Sequence, residues 1–244
     1  MKITGNTVLI TGGGSGIGLA LAEALCHRGN EVIICGRRKS RLRAATARLP
    51  ALHYRICDVS NARSRQAMVD WLESEYKSLN ILVNNAGIQR AVDFRKGVRD
   101  LPAADDEIAI NLAAPIHLSA MLIPRLRRKK AAAIVNISSG LAFAPIAFMP
   151  VYCAAKAALH SWSLSLRHQL RETSIRVFEV APPMVATELS GRRDRGEDEE
   201  HMMSPEAVAE GILEALRRNR YETALGSAAY LRSQREKAFV GMNR

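Results

Sequence analysis

The feature that most constrains this chain is a glycine-rich turn that directly follows a short apolar strand. The strand is predicted at Thr7–Thr11, and the turn runs from Gly12 to Gly18. Apolar runs of this length are typical of buried parallel strands, and glycine reaches backbone angles that are closed to other residues. A helix that starts near Gly16 would direct its free amide groups at an anion. The turn therefore predicts a pyrophosphate site, with an ordinary glycine-rich loop as the alternative.

The glycine spacing differs from the commonest dinucleotide fingerprint. Reading Gly-x-Gly-x-x-Gly from Gly12 puts Ile17 where the third glycine should stand. The pattern that fits is Thr-Gly-x-x-x-Gly-x-Gly. We expect the pyrophosphate to be held by Gly12, Ser15, Gly16, Ile17 and Gly18.

Tyr152 and Lys156 form the second informative feature. Being four residues apart, they share one face of a predicted helix. A phenol with a pKa of about 10 is mostly protonated at neutral pH, so it can donate a proton, and a neighbouring ammonium would favour its phenolate. Such a pair is common on exposed helices and is a weak signal alone, but in the same chain as the glycine turn it is a strong indication of catalysis. Together the two features predict that the chain binds a nicotinamide cofactor and moves a hydride.

Length and composition favour one domain, 1–244, rather than two. Hydrophobic residues make up 48% of the chain, yet no run of about 18 apolar residues predicts a membrane span. The chain enters its first strand too soon for a signal peptide. Because the four cysteines form no Cys-x-x-Cys pair, we expect reduced thiols and no metal site. These observations predict a cytoplasmic protein.

The net charge of +11 could indicate a nucleic-acid partner. However, the basic residues are scattered, and the one dense run, Arg125–Lys130, ends a predicted helix, where cations suit the dipole. No aromatic residue interleaves that run for base stacking. We therefore predict no nucleic-acid partner and assign the charge a modest role in attracting an anionic cofactor or substrate.

Apolar strands alternate with amphipathic helices, which predicts a doubly wound α/β Rossmann fold with seven parallel strands and helices on both faces. Ser60 and Ser204 are predicted helix N-caps. The polar segment 187–203 is predicted to be a mobile lid rather than an inert loop. Strands are predicted at Thr7–Thr11, Glu31–Cys35, His53–Cys57, Ile81–Asn84, Ala132–Ile137, Ile175–Ala181 and Glu222–Leu225. Helices are predicted at Gly16–Arg28, Arg41–Arg48, Asn61–Tyr76, Asp105–Arg127, Tyr152–Arg171 and Pro205–Arg218.

The glycine turn and six further motifs resemble the short-chain dehydrogenase/reductase family, in its order and spacing, over most of the chain. The resemblance implies an oxidoreductase that interconverts a carbonyl and an alcohol with a nicotinamide cofactor. Segments 84–90 and 165–172 resemble one bacterial branch, which carries a label for D-alanine transfer in lipoteichoic acid synthesis. The six motifs are Asp58-Val59, Asn84-Asn85-Ala86-Gly87, Asn111, Ser138-Ser139, Tyr152-Cys153-Ala154-Ala155-Lys156 and Pro182-Pro183-Met184-Val185-Ala186-Thr187.

The resemblance also implies which further residues hold the dinucleotide. Where the family usually has Pro-Gly, this chain has Pro182-Pro183, which stiffens the turn. The residues expected on the adenosine side follow the third and fourth strands: Asp58, Val59, Asn84, Ala86 and Gly87. The residues expected at the nicotinamide follow the sixth strand: Pro182, Val185 and Thr187.

The choice between NADP and NAD is predicted from position 36. NAD enzymes place an acidic side chain about 20 residues after the glycines, but Gly36 stands there, and Arg37 and Arg38 follow. A guanidinium can bind a 2′-phosphate in a bidentate manner, whereas an aspartate would repel it. NADP is therefore favoured over NAD, and the alternative is that both arginines belong to a solvated turn.

Asn111 would, by the resemblance, hold a water that passes protons to Lys156. The sequence adds its own support, because Pro115 lacks the amide proton that the carbonyl of residue 111 would accept in a helix. A freed buried carbonyl needs another donor, and a water would serve. A simple helix kink is the alternative interpretation.

Ser139 lies thirteen residues before Tyr152, the family spacing for the serine that binds the substrate oxygen, and Ser138 is the neighbouring alternative. Gln89 and Arg90 could reach a polar end of the substrate. The pocket walls would suit an uncharged carbonyl compound and comprise Leu141, Ala142, Phe143, Met149 and Val151.

The sequence thus predicts a cytoplasmic NADP-dependent oxidoreductase that acts on a small carbonyl or alcohol. A non-catalytic dinucleotide-binding regulator or cell-envelope accessory protein is the alternative, against which the intact Ser139, Tyr152 and Lys156 argue. Family members commonly pair through two long helices, so we expect a homodimer or homotetramer built on 105–127 and 152–171.

Overall fold

A seven-stranded parallel sheet forms the centre of the computed structural model, which describes residues 1–47, 49–100, 106–190 and 202–243. The strands are β1 (Thr7–Thr11), β2 (Glu31–Gly36), β3 (Leu52–Ile56), β4 (Ile81–Asn84), β5 (Ala132–Ile137), β6 (Ile175–Ala181) and β7 (Glu222–Ala224). Their spatial order is β3-β2-β1-β4-β5-β6-β7. The order reverses between β1 and β4, which is the switch point where ligands bind in such sheets.

Helices cover both faces of the sheet, so the predicted single-domain, doubly wound fold is confirmed. Leu21 of the first helix and Ile212 pack with Ile10 on one face, whereas Leu72 and Leu122 pack on the other. Fully burying one such side chain contributes about 1.5–3 kcal/mol. The helices are α1 (Gly16–Cys26), α2 (Lys39–Thr46), α3 (Ala62–Glu75), α4 (Ala114–Leu126), α5 (Pro150–Gln169), α6 (Pro205–Arg217), α7 (Ser227–Gln234) and α8 (Phe239–Met242).

The N-cap of α3 is Asn61, so the sequence prediction of Ser60 was wrong. The Asn61 side chain accepts a hydrogen bond from the Ser64 amide at 3.0 Å. Ser60 is engaged elsewhere, because its amide and hydroxyl both donate to Asp58 Oδ1, at 3.0 and 2.6 Å. The predicted cap of α6 is confirmed, since Ser204 accepts from the Ala207 amide.

A π-helical turn, Ala109–Ala113, directly precedes α4. The Ala114 amide donates to the Ala109 carbonyl five residues earlier, and Pro115, which lacks an amide proton, follows. The irregularity expected from Pro115 therefore takes the form of a π turn. The stretch Asp106–Leu126 is long and apolar enough to span a membrane by length and composition. In the fold, 44% of its apolar window is buried, and a single helix of this kind is weak evidence for a membrane span.

The segment after β7 forms a helix that the sequence pattern did not predict. Gly226, with φ of 50°, precedes α7, and Ala228 is the buried residue of that helix. Most of the predicted lid, 191–201, lies outside the described residues. The described part of that segment begins beside the cleft, because Thr187, Glu188 and Leu189 line it.

Candidate active site

A cleft of about 420 Å³ opens at the carboxyl ends of the strands. Loops that follow β1, β2, β3, β4, β5 and β6 all contribute to it, as expected at the switch point of a doubly wound sheet. The predicted site residues that line it are Gly12, Ser15, Gly16, Ile17, Arg37, Arg38, Asp58, Val59, Ala86, Gly87, Tyr152, Lys156, Pro182 and Thr187.

The glycine turn lets backbone segments meet where side chains would collide. Gly12 has a φ of +67°, and a Cβ added there would lie 2.8 Å from the Cα of Ala86. A Cβ added to Gly18 would lie 2.6 Å from the Gly12 carbonyl oxygen. Thr11 fixes the facing loop, because its Oγ1 accepts from the amides of Asn85 and Ala86 at 3.0 Å. The N-terminus of α1 is thus held at the cleft with its amides directed outward.

Several predicted residues lie behind the cleft rather than on its wall. Gly18 belongs to the packing of α1 on the turn, and Val185 is buried in the core. Asn84 Nδ2 donates to Asn136 Oδ1 and to Ser119 Oγ, so its side chain is engaged within the fold, and its place on the adenosine side stays a prediction. The wall near that point is formed by the loop after Asn84.

Arginines gather at the adenosine end of the cleft, and one of them was not predicted. Arg38 donates to Ser15 Oγ at 3.0 Å and to Glu188 at 2.7 Å. Arg41, in the first turns of α2, also forms an ion pair with Glu188 and lines the cleft beside Arg37. Ser15 precedes α1 without capping it. This end of the cleft therefore combines guanidinium groups, a hydroxyl and helix amides, which is a donor set suited to phosphate.

Tyr152 and Lys156 line the other end of the cleft together with Ser138, the alternative serine, and Ser139 lies beside Tyr152. Lys156 Nζ lies 5.7 Å from the centre of the Tyr152 ring and donates to the Ile137 carbonyl at 2.8 Å. Ser139 lies close enough to Tyr152 to lower the pKa of the phenol, and its hydroxyl accepts from the Leu141 amide at 3.1 Å. All three side chains are buried, so each interaction acts in a low-dielectric environment.

Burial shifts the pKa values of this pair in opposite directions. Burial raises the pKa of Tyr152 to about 12, and the hydrogen bond with Ser139 opposes that change. Burial lowers the pKa of Lys156 to about 8, while the charge of Glu179 opposes it. At neutral pH the phenol is therefore protonated and Lys156 carries its charge. The arrangement can donate a proton from Tyr152 directly, and it accepts one only with electrostatic help.

Asn111 contacts the site through the backbone that follows β4. Its Oδ1 accepts from the Ile88 amide at 3.0 Å, and its Nδ2 donates to the Ile88 carbonyl at 2.8 Å. A Cβ added to Gly87 would lie 3.1 Å from Asn111 Oδ1 and 3.7 Å from Lys156 Nζ. Asn111 thus lies beside Lys156, and its side chain clamps the loop on the cleft wall.

The predicted substrate residues lie outside the cleft lining. Met149 packs with Tyr152 and Cys153, and Leu141 lies against this cluster. Phe143 instead places its ring 4.9 Å from that of His160, edge to face. Gln89 is half-buried on the loop after β4.

Glu107 is a buried carboxylate near this group that the sequence did not single out. Its Oε1 accepts from the Arg90 amide at 3.0 Å, and its Oε2 has no hydrogen-bond partner among the described residues. Burial raises the pKa of Glu107, and its charge contributes to the raised pKa of Tyr152. A lone glutamate in a helical segment gives no sequence signal for such a role.

Comparison with known proteins agrees with this arrangement. A model of the family described as short chain dehydrogenase matches residues 6–198. An uncharacterized oxidoreductase of Bacillus subtilis, DltE, is 52% identical over 91% of this chain and 88% of that protein. The NADP-dependent 3-hydroxy acid dehydrogenase YdfG of Shigella flexneri is 30% identical over 84% of this chain and 86% of that protein.

A solved structure gives the same result for the fold. The short-chain dehydrogenase of Sphingobium yanoikuyae in complex with NADPH superimposes with a TM-score of 0.81 at 31% identity, covering 90% of this chain and 87% of that one. The similarity to DltE confirms the resemblance to that bacterial branch. With a family model matched over most of its length, the chain belongs to the short-chain dehydrogenase/reductase family and is an oxidoreductase.

Proposed function

We propose that this protein transfers a hydride between NADP(H) and a small carbonyl or alcohol substrate, with Tyr152 as the acid/base. The observation that carries the proposal is that Tyr152 and Lys156 line one end of a cleft whose other end gathers arginines, with Ser139 beside Tyr152. YdfG and the Sphingobium enzyme, which are named for NADP dependence or an NADPH complex, support the same cofactor here.

The residues of the cleft fit a dinucleotide. The glycine turn leaves space at the N-terminus of α1 that side chains would fill. A Cβ added to Gly16, whose φ is +54°, would lie 3.0 Å from Thr187 Cγ2. The α1 amides would bind the pyrophosphate, and Asp58 and Val59 would lie against the adenosine. Pro182 and Thr187 would hold the nicotinamide end. When bound, the cofactor supplies or accepts the hydride.

The side chains of the site provide proton transfer and charge stabilisation. Tyr152, protonated at neutral pH because its pKa is raised to about 12, donates its proton to the carbonyl oxygen during reduction. Ser139 binds that oxygen and orients it towards Tyr152. During oxidation the ammonium of Lys156 stabilises the phenolate, and Asn111 positions a water that returns protons to Lys156.

Arg38 and Arg41 support NADP over NAD. Both already bind a carboxylate, that of Glu188, at the position where the ribose 2′-phosphate would lie. A phosphate dianion offers more charge and more acceptor atoms than a carboxylate, so it competes for the same guanidinium groups. NAD is the alternative, and direct binding measurements with NADPH and NADH decide between them.

The deciding experiment is a turnover screen with NADPH and NADP⁺ against aldehydes, ketones and alcohols, comparing the wild type with Tyr152→Phe. Since general acid/base catalysis contributes about 10²–10⁴-fold, the variant should lose at least about a hundredfold in rate. NADPH binding, measured by fluorescence, should change little. A variant that keeps a tenth of the wild-type rate would exclude Tyr152 as the acid/base.

The same experiment addresses the alternative function, a non-catalytic dinucleotide-binding regulator or cell-envelope accessory protein. Such a protein would bind NADPH without turnover on any substrate in the screen. The intact group of Ser139, Tyr152 and Lys156 favours the enzyme. Its location in the cytoplasm and its assembly as a homodimer or homotetramer are part of the same proposal.

A further inference from the structure

A row of polar side chains crosses the sheet beneath α5. In the strand register, Asn84 pairs with Asn136, Asn136 with Glu179, and Glu179 with Glu222. Side chains alternate between the two faces of a strand, so residues paired in register lie on the same face. The first three are buried, yet none of the four lines the cofactor cleft. Their role is therefore not direct contact with the dinucleotide.

The two asparagines of this row fasten elements together. Asn84 Nδ2 donates to Asn136 Oδ1 at 2.8 Å, and Asn136 Nδ2 donates to Ser163 Oγ on α5 at 2.8 Å. Neutral amides can satisfy one another in this way without a net charge. Glu179 differs, because it places a carboxylate in the same buried environment.

Glu179 is fully buried, and one of its oxygens is not hydrogen-bonded. Oε2 lies 2.8 Å from His160 Nδ1, whereas Oε1 has no hydrogen-bond partner among the described residues. A buried carboxylate is costly unless opposite charge compensates it. The hydrogen bond to Glu179 raises the pKa of His160, so His160 provides part of that compensation.

Lys156 is a second cation on the helix that covers this carboxylate, and the charge of Glu179 acts on it. Lys156 and His160 are four residues apart on α5, so they project from the same face of the helix. Lys156 Nζ donates to the Ile137 carbonyl, and Ile137 pairs in register with Val180, the residue after Glu179. The helix spacing and the strand register thus place the buried Lys156 and the buried Glu179 at neighbouring positions between α5 and the sheet.

We propose that Glu179 is a positioning residue for the reaction: its buried carboxylate, held by His160, keeps Lys156 charged so that the ammonium can stabilise the phenolate of Tyr152. The part of this inference that concerns the phenolate of Tyr152 rests on the proposed function. The charge effect itself is a property of the cofactor-free protein. Burial lowers the pKa of Lys156 to about 8, and Glu179 is the group that opposes that shift.

Three further side chains lie around His160: Glu222, Arg232 and Phe143. Glu222 also raises the pKa of His160, whereas Arg232 lowers it. Arg232 binds Glu222 at 2.5 Å, and the Phe143 ring covers His160 from the turn after β5. Glu222 contributes no effect on the pKa of Lys156. It therefore provides a matched control, a second carboxylate against His160 that does not act on Lys156.

The ligand atoms of His160, Glu179 and Glu222 lie within 4.8 Å of one another, close enough to bind a cation by distance alone. Both carboxylates already have a hydrogen-bonding partner: His160 binds Glu179 within the cluster, and Arg232 binds Glu222 from outside it. The guanidinium would also repel a metal ion at this point. We therefore assign the cluster to charge compensation, and EDTA and Zn²⁺ enter the experiment as controls.

The experiment measures the titration of Lys156 without cofactor or substrate. Trace labelling with acetic anhydride across a pH series, read by mass spectrometry of the Lys156 peptide, gives the midpoint of its deprotonation. Glu179→Gln keeps the shape and the hydrogen bond to His160 but removes the charge. An opposite charge at close range shifts a pKa by about one unit or more, so the midpoint should fall by about one pH unit. Glu179→Asp, with its carboxylate withdrawn by one methylene, should show a smaller fall.

Controls separate this charge effect from general disruption. Glu222→Gln, EDTA and Zn²⁺ should leave the Lys156 midpoint unchanged, and the oxidation pH–rate profile of Glu179→Gln should shift its acidic limb to higher pH. If Glu179→Gln folds and titrates Lys156 as the wild type does, if Glu179→Asp lowers the midpoint as far as Glu179→Gln does, or if EDTA moves the midpoint, the inference is wrong. Failure of the proposed function would appear separately, as an active Tyr152→Phe variant or as the absence of turnover, with the labelling result unaffected.

Discussion

Glu188 forms ion pairs with Arg38 and Arg41, whose guanidinium groups would bind a 2′-phosphate. It binds Arg38 and Arg41 across about 150 residues of chain, and all three side chains are about half exposed. Exposed ion pairs of this kind are worth about 0–1 kcal/mol each. Glu188 is therefore a weak internal competitor that a phosphate can displace, and its removal should expose the preference of the arginines.

We predict that Glu188→Gln binds 2′,5′-ADP about two- to fivefold more tightly than the wild type, since about 0–1 kcal/mol of competition is lost. Binding of 5′-ADP, which lacks the 2′-phosphate, should not change. Calorimetry at fixed ionic strength measures both. Arg41→Gln should weaken 2′,5′-ADP selectively. An equal change for both nucleotides would show that Glu188 does not compete for the 2′-phosphate site.

Residues on the cleft loops could be predicted because their chemistry is local. Gly12 needs a positive φ, and Tyr152 with Lys156 needs only the spacing of a helix. Arg41 and Glu188 could not be predicted, because their contact joins distant segments and each residue alone looks like a solvated charge. Glu179 did leave a signal, a single acidic residue within an apolar strand, but its meaning depends on the register that aligns it with Asn136.

At the scale of elements, the π turn before α4 brings Asn111 to the site. The turn spans Ala109–Ala113, and Pro115, which follows it in the first turn of α4, cannot donate an amide proton to the carbonyl of residue 111. Inserting one extra residue in a helical turn rotates the side chains that follow relative to those that precede it. The double hydrogen bond between Asn111 and Ile88 depends on that rotation.

Replacing Pro115 by Ala restores an amide and favours a regular α-helical turn. We predict that Pro115→Ala lowers kcat, because Asn111 is displaced from Ile88 and from Lys156; a misplacement of about 1 Å can cost up to about a hundredfold in rate. The control is Pro124→Ala, which changes a second proline in α4 far from Asn111. Steady-state kinetics and thermal unfolding of both variants test this. Equal kcat values for the two variants would contradict a role for the π turn.

Element boundaries show where sequence patterns are sufficient. β1 and β4 coincide with their predicted ranges, because each is an uninterrupted buried run flanked by polar or glycine residues. The N-cap of α3 shifted by one residue because Asp58 binds Ser60, a local competition that composition cannot resolve. α7 was missed because it is short and polar, with Ala228 as its buried residue.

At the scale of the whole molecule, one flank of α5 is available for association. Ser165 and Gln169 are exposed, Ala158 is half-buried, and these small or polar side chains leave room for a second helix. Trp162, on the same helix, is half-buried against the core. Only part of that ring can therefore contribute to an interface. The opposite face of the helix holds Tyr152 and Lys156, so association through this flank would stiffen the catalytic end of the cleft.

We predict a homodimer or homotetramer that pairs through this flank, with a light-scattering mass at least twice the 26.8 kDa of one chain. Ser165→Arg places a long cation between the paired helices and should shift the protein towards monomer, with reduced turnover because the support for α5 is lost. The matched control is Ser233→Arg on α7, another exposed serine whose hydroxyl donates to a carbonyl of the preceding turn. Both positions tolerate a long side chain in an isolated chain, so unfolding temperatures at low concentration should agree. A wild-type mass near 26.8 kDa at micromolar concentration, with full activity, would show that the site is complete within one chain.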